Sequence, residues 1–174
     1  MYQTTRNLRM KTAAGLLLLL LLAGLPACDD AGDDKPYVEF AGGGFIFNYN
    51  LAQAYYGFVI KAKRSIPPGT IIEAQFEDPA GGPPLPVQQI ARAGGVEYSF
   101  RTPPVQGVKA DRDYQVVLKL IDPESHDVIA SYSKAFRSTA DQDILPKKPL
   151  TVGPGYQANP ESEIVNPPGK SPDG

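Results

Sequence analysis

Tyr114-Gln115-Val116-Val117-Leu118-Lys119-Leu120 sets a large apolar side chain at every second position, with Gln115, Val117 and Lys119 between them. A period of two marks a strand with one face on a core and the other in water. Asp122-Pro123-Glu124-Ser125-His126-Asp127 follows, dense in turn-forming residues, and a second β-rich run extends from Val128 to Phe136. Two such runs joined by a short polar connection predict an antiparallel hairpin.

The same alternation recurs upstream. Ile72, Ala74 and Phe76 alternate with Glu73, Gln75 and Glu77, and Val96, Tyr98 and Phe100 alternate with Glu97, Ser99 and Arg101. Earlier still, Phe45, Phe47, Tyr49 and Leu51 share one face, and Tyr56, Phe58, Ile60 and Ala62 share another against Lys61 and Lys63. Ile66-Pro67-Pro68-Gly69, the stretch from Pro79 to Pro86, Gly94-Gly95 and Thr102-Pro103-Pro104 separate these runs. No amphipathic helix competes with them. Seven or eight short strands punctuated in this way predict an all-β, antiparallel β-sandwich over residues 37–138. About a hundred residues suffice for one hydrophobic core. Phe47, Phe58, Phe76, Phe100, Tyr114, Leu118 and Phe136 are expected to converge on it.

Val108 and Tyr114 stand six positions apart, with the tyrosine opening the strongest alternating strand. This resembles the tyrosine corner of fibronectin type III and immunoglobulin-like domains, whose ring packs on the core while its hydroxyl bonds backbone where the chain crosses between sheets. Ala110 and Arg112 stand where fibronectin type III domains favour Pro and Thr, and no Trp or Cys pair marks an immunoglobulin core. A plain strand-initiating tyrosine is the other reading. The resemblance implies an immunoglobulin-like architecture and carries no activity.

Near the start of the chain, Ala13 to Leu25 is apolar throughout, with leucine at every position from Leu16 to Leu22, and it follows Arg6, Arg9 and Lys11. A basic head, a short apolar stretch and a small residue before a cut site read as a secretory signal. The run falls short of the roughly 20 residues that cross a bilayer as a helix. Cys28, the only cysteine, stands where the apolar run ends. Leu25-Pro26-Ala27-Cys28 resembles the lipobox of bacterial lipoprotein precursors, with Pro26 in place of the usual Ala, Ser or Thr. That resemblance implies a signal peptide over residues 1–27, cleavage between Ala27 and Cys28, and a mature protein held to the membrane by lipid on Cys28. Asp29 resembles the inner-membrane retention signal of some Gram-negative bacteria. The periplasmic face of the inner membrane is then the expected location, with the outer membrane as the alternative. Residues 28–36, with four aspartates and nothing to bury, read as an acidic tether.

Removing residues 1–27 takes away three basic and no acidic side chains, leaving 14 Lys and Arg against 19 Asp and Glu, a net charge of −5. A mildly acidic chain without a Lys/Arg block offers nucleic acid no electrostatic footprint. With Cys28 acylated no thiol remains for a disulfide, so the core must hold the fold. His126 is the only histidine and falls in a turn, which leaves no hydrolase triad and no multi-histidine metal site to build. The carboxylate pairs Glu73/Glu77, Asp111/Asp113 and Asp122/Glu124 lie on polar strand faces or in turns, where solubility accounts for them. No catalytic residue, metal site or cofactor is expected, and the chain is not expected to be an enzyme.

Sugar binding would rest on Tyr55-Tyr56, one ring of which must point off the core. Protein binding or scaffolding is the preferred reading. An inhibitor of an envelope hydrolase and a carbohydrate-binding module are the alternatives. Residues 139–174 hold seven prolines and four glycines and predict a disordered extension. Within it, Lys147-Lys148-Pro149-Leu150 and Pro154-Gly155-Tyr156 are the places where a polyproline ligand would sit.

Overall fold

The computed structural model describes residues 35–162. Its main strands are β1 (Val38–Asn48), β2 (Gln53–Ala62), β3 (Ile71–Phe76), β4 (Leu85–Ile90), β5 (Glu97–Arg101), β6 (Asp113–Ile121) and β7 (Val128–Arg137). They form two antiparallel sheets, ordered β1-β2-β5 and β4-β3-β6-β7, and the fold of the described residues is all-β. A two-stranded ribbon of β8 (Thr151–Val152) and β9 (Gln157–Ala158) makes a third sheet.

Alternation in sequence becomes alternation in burial. Ile72, Ala74 and Phe76 on β3 and Tyr114, Val116, Leu118 and Leu120 on β6 are all wholly buried. Their sheet meets the other through aromatic rings. Tyr56 of β2 stands edge-on to Phe76 at 5.0 Å, and Phe58 lies 5.4 Å from Phe76 and 5.7 Å from Phe136, centroid to centroid. Of the seven residues expected in the core, six are buried there, and Phe47 packs half-buried at its rim.

Three strand boundaries differ from expectation. β1 stops at Asn48, so Tyr49 is 47% exposed and Leu51 lies in a turn rather than on the Phe45–Phe47 face. That turn is closed by Ala52, whose φ of 52° lets its N–H donate to Tyr49 O. Val96 precedes β5 and is 70% exposed. β4 contains Pro86, inside a stretch expected to be a break; it is an edge strand whose backbone ladder is made with β3 alone, where a missing N–H is tolerated.

The connection from β5 to β6 crosses from the three-stranded to the four-stranded sheet. Here the Lys109 N–H donates to the Tyr114 hydroxyl at 2.7 Å, while the Tyr114 ring lies 5.2 Å from Phe45 and 6.2 Å from Tyr56. Tyr114→Phe keeps the ring and strands the amide, so it should cost about 1–2 kcal/mol. The check is a lower denaturation midpoint at unchanged slope; an unchanged midpoint would show that the hydroxyl contributes nothing.

Residues 139–162 correct the expectation of a disordered extension. A short 3-10 turn, Gln142–Ile144, is pinned to the β5–β6 connection. The Gln142 N–H donates to Val108 O at 2.9 Å, its side-chain Oε1 accepts from Val108 N–H, and its Nε2 donates to Val105 O. Asp141 accepts from Ala110 N–H, Leu145 packs on the core, and Thr151 N–H donates to Asn50 O. Proline-rich composition implies that a segment cannot bury much; here specific bonds to backbone groups that the sheets leave unpaired do the ordering instead. Residues 163–174 lie outside the described residues.

Chain connections fall at two ends. Lys63 N–H donates to Tyr37 O, Ala62 N–H to Val96 O and Gly69 N–H to Ala91 O, so residues 35–37 enter beside the 63–70 and 91–96 connections. The 49–52 and 102–112 connections gather at the opposite end, with residues 139–162.

Candidate functional site

β1 carries Gly42-Gly43-Gly44 in the middle of a long strand. Pairing with β2 is irregular between Phe40, opposite Ile60, and Gly42, opposite Val59, leaving Ala41 as a bulge. Beyond the bulge Phe45 turns inward and stacks on Tyr56 at 4.7 Å. Gly42, Gly44 and Ile46 therefore point outward. They meet Val59, Gly57 and Tyr55 of β2 in successive cross-strand rows, extended by Ser99 and Arg101 of β5.

All of these residues except Tyr55 line a shallow groove of about 540 Å³ on the outer face of the three-stranded sheet. Its floor is bare backbone at Gly42, Gly44 and Gly57. Ile46, 50% exposed, and Val59 supply apolar walls. Arg101 is the only charged residue lining it, and its guanidinium sits over the Tyr55 ring at 5.0 Å from the centroid.

The four glycines at this place are not equivalent. A Cβ on Gly43 would overlap the Phe136 ring, Gly57 O and the Phe58 Cβ, and one on Gly57 would overlap the Phe100 carbonyl. A Cβ on Gly42 or Gly44 would meet nothing within 4 Å.

Elsewhere the ionisable side chains serve the fold. Glu73 accepts from Gln75 and Gln88 at 2.7 and 2.6 Å. Glu77 accepts from Arg112 Nη2 and from Gln115 N–H. Asp113 and Arg137 pair through both guanidinium donors, at 2.7 and 3.1 Å, and those bonds hold the Asp113 carboxyl below the usual carboxylate range. Asp122 accepts from the Ser125 and Glu124 amides, which lowers it in the same way. Asp111, with φ of 56°, and His126, with φ of 62°, occupy turns. Tyr56 is buried and donates its hydroxyl to Glu77 O; burial, reinforced by Glu77 and Asp78, pushes its phenol far above the ordinary value.

Tyr55, the outward neighbour of Tyr56, touches the groove through Arg101, whose guanidinium lies over its ring. The structure thus places Tyr55 under Arg101, next to the groove, and leaves His126 and the carboxylate pairs away from it. Tyr156 is 66% exposed near the C-terminal ribbon. Ala27, Cys28 and Asp29 lie outside the described residues. Among the described residues no helix is long and apolar enough to cross a membrane, and no three His, Cys, Asp or Glu side chains gather as metal ligands. The groove itself was readable only as a glycine triplet interrupting a strand-forming run. A comparison of the chain with protein-family models and with curated proteins returned no match.

Proposed function

We propose that this protein is a bacterial envelope lipoprotein, anchored through lipid on Cys28, whose non-catalytic immunoglobulin-like sandwich binds another protein. The observation that carries the binding reading is the groove on the β1-β2-β5 face: apolar walls, bare backbone floor and, on rigid strands, one guanidinium that no carboxylate pairs with among the described residues. Interfaces are anchored by such pockets, and strands present them at little ordering cost. Carbohydrate binding is less well served, because Arg101 lies over the Tyr55 ring that a sugar would stack on.

The immunoglobulin-like assignment is supported by strand order and by the β5–β6 crossover. β1, β2 and β5 share one sheet and β3, β6 and β7 the other, as in immunoglobulin constant domains, with β4 moved across to pair with β3. The Lys109–Tyr114 bond at the crossover matches a tyrosine corner.

Support for anchoring comes from Leu25-Pro26-Ala27-Cys28 after the leucine run. Eight residues from Asp29 to Pro36 reach at most about 29 Å when extended. A lipid on Cys28 would therefore keep Tyr37, where the sandwich begins, within about that reach of the bilayer. Residence on the inner membrane is favoured by Asp29.

Cell fractionation with photo-crosslinking tests the reading. Wild-type protein with a photoreactive residue at position 46 should sediment with membranes and form a discrete adduct with a second protein. Cys28→Ala should move to the soluble fraction, since two or more acyl chains give stable attachment. A Cys28→Ala protein still bound to membranes would reject the anchor, and no adduct at position 46 would reject the binding face.

A further inference from the structure

We propose that the groove receives an extended segment of a partner protein, with one aromatic side chain lying flat on Gly42 and Gly44 and a carboxylate of the same segment paired with Arg101. The inference rests on the protein-binding reading above and specifies the chemistry of the ligand.

Two glycines that the fold does not require are the starting point. Glycine within a strand costs roughly 0.5–1 kcal/mol relative to alanine, and residues with β-propensity do better still. Gly43 and Gly57 have a structural reason to be glycine, because a Cβ at either would overlap its neighbours. Gly42 and Gly44 do not. Neither has a positive φ, and the space above each is open. Glycine in a strand interior marks a bulge, a tight bend or a close approach by a ligand or another backbone; Gly42 directly follows the Ala41 bulge, but Gly44 lies three residues past it with open space above, which fits a close approach.

The dimensions say what approaches. Gly42 and Gly44 are same-face neighbours on β1, about 7 Å apart, and Gly57 is one strand spacing away, about 4.8 Å. That footprint matches a single aromatic ring. Ile46 closes it at one end and Val59 at the other, so a ring seated there exchanges water for apolar wall and peptide planes. A long aliphatic side chain would leave much of the flat floor uncovered.

Arg101 supplies the second element. It continues the Gly44–Gly57 row onto β5, roughly 10 Å from Gly44 by strand spacing. No carboxylate pairs with it among the described residues, and the Tyr55 ring holds its guanidinium over one face. A pre-oriented guanidinium selects a carboxylate, which it binds through two parallel hydrogen bonds. One or two residues of an extended chain span the distance from ring to carboxylate.

The test pans a random dodecapeptide phage library against the full-length protein in detergent micelles. Enriched peptides should carry Phe, Tyr or Trp within two positions of Asp or Glu. Gly44→Val should weaken them by about tenfold or more, the loss expected when an anchoring pocket is filled, while melting at the same or a higher temperature. Arg101→Gln should remove the preference for the acid and keep that for the ring. Peptides that bind Gly44→Val as well as wild type would overturn the groove assignment while protein binding stands. Enriched sequences lacking the aromatic–acid pair would overturn the ligand chemistry. No enrichment on wild type would sink this inference, while the protein-binding reading stands or falls separately with the adduct at position 46. Should Gly44→Val fail to fold, Gly42→Thr addresses the same floor.

Discussion

Truncating Phe58 to alanine should lower the unfolding free energy by about 3–5 kcal/mol, the usual cost of deleting a buried phenylalanine ring. Phe58 is one of several rings through which the two sheets hold each other, and it touches two rings in each. Its centroid lies 5.1 Å from Phe40 and 5.3 Å from Phe100 in its own sheet, and 5.4 Å from Phe76 and 5.7 Å from Phe136 in the facing one. These neighbours are stiff, flat and themselves packed on further rings, so they cannot collapse into the vacancy, and the upper half of the range is expected. Small domains have only about 5–15 kcal/mol in total. The described residues contain no cysteine to compensate with a cross-link. Phe47→Ala, at the core rim, should cost much less. Urea unfolding of both variants is the check: a Phe58→Ala midpoint and slope equal to wild type would mean the ring does not bridge the sheets.

Which parts of this fold were legible in the sequence follows from where each strand sits. β3 and β6 are interior strands of the four-stranded sheet, with one face on the core and one in water, so their alternation states their orientation outright. β4 is an edge strand that tolerates Pro86, and the prolines that spell a break in a central strand say little at an edge. In β1 the alternating pattern runs on through Tyr49 and Leu51 although the strand has ended. The turn is closed by Ala52 at positive φ, a conformation that an alanine does not announce.

The groove was less legible than the core for a different reason. Gly42, Gly43, Gly44 and Gly57 are the same letter in sequence, yet two are forced by neighbours and two are not, and only the positions of the Phe136 ring and the Phe100 carbonyl separate them. Arg101 likewise reads as a polar-face residue of an alternating strand. Its meaning depends on cross-strand register, which sets Gly57 opposite it, and on the absence of a carboxylate partner among the described residues. Chemistry that depends on a single side chain's type was easier to place: His126 and the carboxylate pairs were expected in turns and on solvent faces, and they lie there.

Ending the chain at Ser138 should destabilise the sandwich by about 3–5 kcal/mol, at about 1 kcal/mol or more for each buried backbone group left without a partner. Val105 and Val108 are buried, at 3% and 0% exposure, and the connection they belong to has no sheet neighbour to satisfy it fully. Gln142 provides for three of its groups, Val105 O, Val108 N–H and Val108 O, and Asp141 for a fourth, Ala110 N–H. Leu145 adds an apolar contact to the core. Losing them together should lower the melting temperature by about 10–20 °C for a domain of this size. A chain ending at Pro149 keeps all of these contacts and should recover most of the loss, which separates them from the ribbon beyond. The same connection follows β5 directly, so its loosening frees the strand that carries Arg101, and affinity at the groove should fall alongside stability. A chain ending at Ser138 that melts with wild type would return residues 139–162 to the role of a passive extension, and the bonds from Gln142 would then contribute nothing to the fold.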